Sequence, residues 1–304
     1  MTQPAPNNES GLEAQTGPVA SIVIPAHNES AVIGRLLSGL LRDARTGELR
    51  VVVVCNGCAD DTAAIARTFP DTTVVEIERP SKIAALNAGD DAAGDVFPRM
   101  YLDADIAVST AAVRRVAETL DGDEARAAAP RLQINLQDRP LTVRGYYEIF
   151  RRLPWVTKGL VGSGFYGVSR AGRMRFGRFP DVTNDDGFVR ALFDDDERVS
   201  VADVDFTIEA PRSTRSLIRA KARVAAGTAE FMWQREEERR SRGERPEPPR
   251  GGSLIYLRLL RDPSAVPHLP AYVFVRVLAS LTRTMQLRRG RTIVWGQDQT
   301  TRIR

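Results

Sequence analysis

Four short apolar runs, each followed by a segment with helical patterning, constrain this chain more than any other feature. The runs cover residues 19–24, 50–54, 73–77 and 99–102. Between the first two, Val32, Ile33, Leu36, Leu37, Leu40 and Leu41 recur at helical spacing. Ala64, Ile65 and Phe69 do the same in the second interval, and residues 82–93 form the third predicted helix. Runs this short and this apolar are strands buried on both faces, and strands that alternate with helices return in one direction. The predicted fold is therefore α/β: a doubly wound, mainly parallel sheet with flanking helices. Pro25 is expected to stop the first strand, Asn28 to cap the first helix, and Asp60 or Asp61 to open the second.

Ligands of such sheets bind beyond the carboxyl ends of the strands. The polar residues there are His27, Asn28 and Glu29; Cys55, Asn56 and Gly57; Glu78 and Arg79; and Asp103 with Asp105. An unpartnered buried carboxylate is costly, so the fourth strand must end near Asp103. Side chains at i and i+2 of extended backbone point the same way, so Asp103 and Asp105 would converge on one object. A hard divalent cation satisfies two such charges. The alternative is a polar loop in which Asp105 or Ser109 caps the helix beginning near Thr110. His27 and His268 are the only histidines, which excludes a histidine-rich centre. An ion here would be oxygen-bound Mg2+ or Mn2+.

Beyond that point the patterning gives a helix near residues 110–120, a strand over 127–135, a helix over 141–153, and a glycine- and aromatic-rich stretch over 155–179. A short helix behind Asp185 and Asp186, a strand over 199–208 and a long helix from 213 to about 238 follow. Residues 1–18 are polar and rich in Pro, Asn and Gln, and are expected to be a disordered tail and not a signal peptide. Residues 236–252 are charged and rich in Pro and Gly, the composition of a mobile linker, and residues 253–304 form a helical C-terminal extension. No apolar stretch approaches the ~20 residues of a membrane span. Two cysteines argue against a secreted disulfide scaffold, and a cytoplasmic location is the expectation.

The net charge of +4 comes almost entirely from arginine, since lysine occurs only at Lys82, Lys158 and Lys221. No nucleic-acid-binding motif accompanies it, so nucleic acid is not an expected partner. Arg215, Arg219 and Arg223 recur every four residues and would form one basic stripe: either a clamp on a diphosphate or an ordinary solvated face. The last helix, residues 271–289, carries Tyr272, Phe274, Val275, Val277, Leu278, Leu281 and Met285 with a basic end. Packing on the domain or on a second subunit is its expected use, and membrane-surface association with a lipid-linked acceptor is the alternative. Two motifs mislead. Cys55 and Cys58 form a CxxC between strand and helix, the context of a redox pair, but the strand–helix succession continues past them. Gly162, Gly164 and Gly167 spell GxGxxG, but residues 165–168 read as strand where a dinucleotide fingerprint needs a helix.

Taken in order, several segments resemble the family 2 glycosyltransferases, inverting enzymes of the GT-A fold that use nucleotide-diphospho-sugars. They are residues 21–29 (SIVIPAHNE), 56–62 (NGCADDT), 82–89 (KIAALNAG), 102–105 (LDAD), 162–164 (GSG) and 183–186 (TNDD). The resemblance covers residues 19–230. It implies a catalytic domain over 19–235, with a nucleotide-binding half at 19–108 and an acceptor half at 109–235. It implies that Pro25, Ala26, His27 and Glu29 contact the nucleotide, with Asn56, Lys82, Arg215 and Arg219 as further donor-site residues. Asp103 and Asp105 correspond to the metal-binding pair, Asp105 touching the cation and Asp103 nearer the ribose. Gly162, Ser163 and Gly164 would face the substrate. Asp185 falls where the family has its catalytic base, with Asp186 as the alternative. On a short helix these neighbours diverge by about 100°, so only one is expected to face the acceptor. The implied reaction moves a sugar from a UDP- or GDP-sugar to the hydroxyl of a sugar, small-molecule or lipid-linked acceptor, with a homodimer as one assembly. A nucleotide-sugar-binding protein without turnover and a nucleotidyltransferase are the alternatives. One departure stands out: Cys55 and Asn56 lie where the family often has an acid that holds the base of the nucleotide.

Overall fold

The computed structural model describes residues 17–159, 161–243 and 258–288. Its centre is an eight-stranded sheet in the order β3-β2-β1-β4-β7-β6-β8-β5. The strands are β1 (Ala20–Ala26), β2 (Leu49–Asn56), β3 (Thr72–Ile77), β4 (Arg99–Leu102), β5 (Ala107–Val108), β6 (Ala127–Asn135), β7 (Phe165–Val168) and β8 (Arg198–Glu209). The first four are mutually parallel, as the alternating pattern requires. The second half is mixed. β7 runs antiparallel between β4 and β6, β6 and β8 are parallel, and β5 closes the edge antiparallel to β8.

Helices α1 (Ile33–Leu41), α2 (Thr62–Arg67), α3 (Lys82–Ala93) and α4 (Thr110–Leu120) cover the two faces of the parallel half. On α1, Ile33, Leu36, Leu37 and Leu40 are buried, the face that the sequence spacing dictates. Helix α3 approaches the sheet more closely. A Cβ on Gly89 would stand 2.2 Å from Val23 Cγ1, so only glycine fits there. Helices α5 (Leu141–Phe150), α6 (Pro154–Thr157), α7 (Arg170–Arg173) and α8 (Asp185–Ala191) follow, then α9 (Thr214–Ser241) and α10 (Leu269–Arg288). Among the described residues, no helix is long and apolar enough to cross a membrane.

Several expectations need correction. Strand β1 runs through Pro25 to Ala26. Ser21 N–H donates to Pro98 O, on the β4 side, and residues 21, 23 and 25 share that side. The β1–β4 ladder ends at Val23↔Tyr101, so Pro25, which has no N–H, falls past its last paired residue. Asn28 does not cap α1. It sits at φ +51°, and its Oδ1 accepts from Ala59 N–H at 2.7 Å, tying together the loops after β1 and β2. Ser109 caps α4, accepting from Ala112 N–H at 3.2 Å, so the cap alternative for Asp105 falls away. Helix α5 ends at Phe150, ahead of Pro154. Helix α9 continues to Ser241, through the first residues of the expected linker, because residues 236–241 carry good helix formers and no Pro or Gly. The rest of that linker from residue 244, the tail up to residue 16, and the extension outside 258–288 lie outside the described residues.

Helix α10 packs on the domain, one of its two anticipated roles. Tyr272, Val275 and Ala279 are buried, and Tyr272 stacks on Tyr146 of α5 at 5.1 Å. Its opposite face leaves Val273, Val277, Leu281 and Met285 exposed at a spacing of four.

Candidate active site

The carboxyl end of β4 opens into a cavity of about 190 Å³. Three carboxylates come from distant parts of the chain. Asp103 follows β4 directly, and its N–H donates to Gly164 O at 2.8 Å, which ties the strand end to the glycine turn before β7. Asp185 and Asp186 form the first turn of α8, whose N-terminus is capped by Asn184 Oδ1 accepting from Gly187 N–H at 3.1 Å. Lys82, the first residue of α3 after its cap Ser81, sits among them. Its Nζ lies 2.9 Å from Asp103 Oδ1 and 3.0 Å from Asp185 Oδ1. Burial alone would lower the affinity of Lys82 for its proton. Asp103, Asp185 and then Asp186 outweigh it and hold the ammonium protonated well above its ordinary range.

The sequence geometry for the α8 acids was too strict. Both Asp185 and Asp186 line the cavity, which takes in the N-terminal end of α8 and is wide enough to meet side chains about 100° apart. Asp185 is buried, and Tyr166 Oη stands 3.5 Å from its Oδ2. Burial, then Asp185, pushes the Tyr166 phenol well above its ordinary value, so it remains a neutral donor. Asp186 is pushed up to about 6, first by burial, then by the charge of Asp185, with Lys82 opposing. Its Oδ1 accepts from Gly187 N–H at 2.8 Å, and its Oδ2 from Ser163 N–H at 3.4 Å. That second contact accounts for the glycine turn. A Cβ on Gly162 would stand 2.2 Å from Asp186 Oδ2, at a φ of +119° that other residues avoid.

Of the expected site residues, Pro25, Lys82, Asp103, Gly162, Ser163, Gly164, Asp185 and Asp186 share this cavity. His27, Glu29 and Asn56 form the neighbouring rim at the ends of β1 and β2. His27 Nδ1 is 2.6 Å from Asn56 O, Asn56 Nδ2 donates to Ala26 O at 2.9 Å, and Glu29 N–H donates to Thr62 Oγ1 at 2.7 Å. Asn56 is fully buried, and its Oδ1 has no hydrogen-bond partner among the described residues. Asp105 differs from the extended expectation. Residues 104 and 105 turn away from the strand direction, Asp105 O accepts from Arg35 at 3.2 Å, and Asp105 does not line the cavity. Arg215 and Arg219 are exposed and do not line it either; Val224 is the residue of α9 that does.

Tyr166 and Tyr101, in register on antiparallel β7 and β4 with rings 5.0 Å apart, complete the wall and escaped the sequence reading. Both lie in short, fully buried strands, and that apolar context is the signal the sequence carries for them. The CxxC pair does not form a redox centre. Both thiols are free, and burial followed by Cys58 pushes Cys55 up to about 12, far from a reactive thiolate.

Among the described residues, no group of three or more His, Cys, Asp or Glu could hold a metal by itself. The donor set nevertheless fits a hard divalent ion completed by a ligand. Mg2+ and Mn2+ sites of this kind use one or two carboxylates, with phosphate oxygens and water filling the remainder.

Residues 21–176 match the family described as Glycosyl transferase family 2. No curated protein matches the chain. Among solved structures, the mannosyltransferase PcManGT from Pyrobaculum calidifontis, in complex with GDP-Man and Mn2+, is similar at 20% identity. The match covers 91% of this chain and 80% of that one, with a TM-score of 0.57. Residues 1–349 of TarS from S. aureus are 14% identical, over 88% of this chain and 74% of that one, with a TM-score of 0.51. Against a longer TarS chain, 15% identical with a TM-score of 0.47, the match covers 63% of this chain and 36% of that one. The two larger overlaps reach from the parallel half into the helices that follow it.

Proposed function

Because the chain belongs to glycosyl transferase family 2, we propose that it moves a sugar from a nucleotide-diphospho-sugar to an acceptor hydroxyl with inversion. The observation that carries this reading is the convergence of Asp103, Asp185 and Asp186 on Lys82 in one cavity at the carboxyl end of β4. In this reading the donor diphosphate enters past Pro25 and Asp103. Lys82 leaves Asp185 to neutralise the departing charge, and Arg215 and Arg219 contribute only the outer field. Freed of its ion pair, Asp185 accepts the proton of the acceptor hydroxyl, whose oxygen attacks the anomeric carbon as the bond to the diphosphate breaks. Asp186, held against the glycine turn of Gly162, Ser163 and Gly164, keeps the acceptor side of the cavity in shape.

Asp103, with Asp105 swung in from the following turn, would hold Mg2+ or Mn2+, which supplies Lewis-acid stabilisation of the leaving diphosphate. The Mn2+ and GDP-Man of the Pyrobaculum enzyme support this choice of ion and of donor class. His27, Glu29 and Asn56 form the nucleoside side. Asn56 lies fully buried behind His27, where the family's usual acid is missing. The acceptor is a sugar, a small molecule or a lipid-linked sugar. The exposed apolar row on α10, flanked by Arg276, suits peripheral contact with a membrane that carries such an acceptor.

A thermal-shift series with UDP and GDP tests the reading. One diphosphate should raise Tm in the presence of Mn2+, and EDTA or Asp103→Ala should remove the effect. Donor binding that survives both would end the metal assignment. Release of pyrophosphate in place of a nucleoside diphosphate would move the protein to nucleotidyl transfer.

A further inference from the structure

The three lysines of the chain, Lys82, Lys158 and Lys221, stand in three different chemical settings. Lys82 lies between two carboxylates in the active-site cavity, and Lys158 is exposed. Lys221 is half-buried on α9 and faces rings instead of acids. Its Nζ stands 4.8 Å from the ring centre of Phe150 and 5.4 Å from those of Tyr146 and Tyr147, all on α5. The three rings brace one another: Tyr147 meets Tyr146 edge to face at 5.2 Å and Phe150 at 5.7 Å, and Tyr146 stacks on Tyr272 of α10. Such a cage attracts an ammonium by its ring faces and fixes the amine in one place.

The charges around the cage act the other way. Among the described residues, those that act on Lys221 have its own sign: Arg276 of α10 and Arg223 of α9. Burial first, then Arg276 and Arg223, lowers the Lys221 ammonium to about 8 from an ordinary 10.5. An appreciable share of this side chain is therefore neutral amine at physiological pH, and neutral lysine amine is a nucleophile. Lys82 is the opposite case, since its acids hold it protonated.

We propose that Lys221 is a site of covalent acylation, taking its acyl group from small acyl phosphates. The Nζ lone pair attacks the carbonyl carbon and forms an amide N–C bond. The bond from that carbon to the phosphate oxygen breaks, phosphate leaves with the electron pair, and the amine gives up a proton to solvent. The cationic neighbours favour this donor class: the exposed Arg276 attracts the doubly charged leaving group. The product is neutral, which removes a like-charge conflict from the seam between α5, α9 and α10 and leaves an apolar acyl group beside three rings. The proposal rests on this seam and not on the sugar-transfer reading.

Treatment of the full chain with acetyl phosphate from pH 6.5 to 10, with each lysine mapped by peptide mass spectrometry, tests it. At pH 7.5 the initial rate at Lys221 should exceed that at Lys158 about tenfold or more, and Lys82 should stay unmodified, because only the unprotonated fraction reacts. The comparison is made within one wild-type chain, so it requires no variant to fold. The Lys221 rate should level off above a midpoint near pH 8. Arg276→Gln should move that midpoint upward and slow the reaction at pH 7.5 about threefold or more, the effect of half a unit or more in proton affinity. N-acetylimidazole, which has no anionic leaving group, should also prefer Lys221 but lose less rate in Arg276→Gln. Equal or faster acylation of the exposed Lys158, a Lys221 rate still rising at pH 10, or indifference of both donors to Arg276→Gln would overturn the proposal.

Discussion

Two acidic centres stand at opposite ends of β4, one acid at its start and three at its end, and they are balanced in opposite ways. At its start, Asp90 faces an excess of positive charge. Arg99 Nη1 lies 2.6 Å from Oδ1, Arg173 Nη2 2.7 Å from Oδ2, and Tyr101 Oη donates at 2.8 Å. Arg99 also donates to Gly94 O and Asp90 O, so the network is closed on protein groups. At the other end, three carboxylates share one ammonium. Satisfied buried charge holds structure together; an excess of one sign in a cavity is retained where a ligand or a proton is to complete it. The contrast separates an acid whose charge the protein itself satisfies from acids whose charge it does not.

The sharpest way to break this contrast is catalytic. Asp185→Asn keeps size and hydrogen bonding but removes the proton acceptor, and transfer should fall by about 10²–10⁴ in kcat, the usual share of general-base catalysis. Nucleotide binding followed by thermal shift should persist. Asp90→Asn should leave kcat within a small factor in whatever protein remains folded. A Asp185→Asn protein that retains near-normal turnover would place the base elsewhere, with Asp186 the first alternative.

The next effect belongs to the structural end. Asp90→Asn leaves Arg99, almost wholly buried, without its anion. Breaking one side of a buried ion pair costs about 3–5 kcal/mol, so chemical denaturation should show a loss of that order. Asp103 is partly exposed at the mouth of its cavity, and Asp103→Asn should cost far less stability than Asp90→Asn. Similar losses at both ends would erase the distinction.

Much of this was legible from residue order. The four parallel strands, the rim at their carboxyl ends and Asp103 follow from periodicity and from the cost of burying charge, whereas Asp185 and Asp186 were marked by the resemblance of residues 183–186 to the glycosyltransferase family. What escaped the sequence depends on three-dimensional closure. β7 enters antiparallel beside β4, and nothing in residues 165–168 specifies a direction. Residue order does not reveal that Lys82 sits between acids, because its partners lie 21 and 103 residues away in sequence. Asn28 carried a strong helix-cap signal, yet its left-handed φ serves a loop-to-loop contact with Ala59. Arg215 and Arg219 show the converse: regular spacing on a helix defines a stripe but not the neighbour it faces.

The smallest of the three effects, and the one with a distinctive sign, concerns Asp186. Its carboxyl is pushed up to about 6 from an ordinary 3.8, chiefly by burial and by Asp185. In the interval between those values the folded protein holds a proton that the unfolded chain has released. Stability from this group is therefore fully present below about pH 4 and is lost as the pH rises through about 6. Asp186→Asn removes the charge but keeps an oxygen able to accept from Gly187 N–H. At pH 7 the substitution should stabilise the protein by about 1–3 kcal/mol, the scale of a two-unit shift discounted for its coupling to Asp185. The gain should shrink on acidification and vanish near pH 4, as measured by denaturant titrations at several pH values. Asp90→Asn should destabilise at pH 7, so the same acid-to-amide change has opposite signs at the two ends of β4. Destabilisation by Asp186→Asn at neutral pH would mean that Asp186 is as well matched to its surroundings as Asp90, and the imbalance assigned to the cavity would be lost.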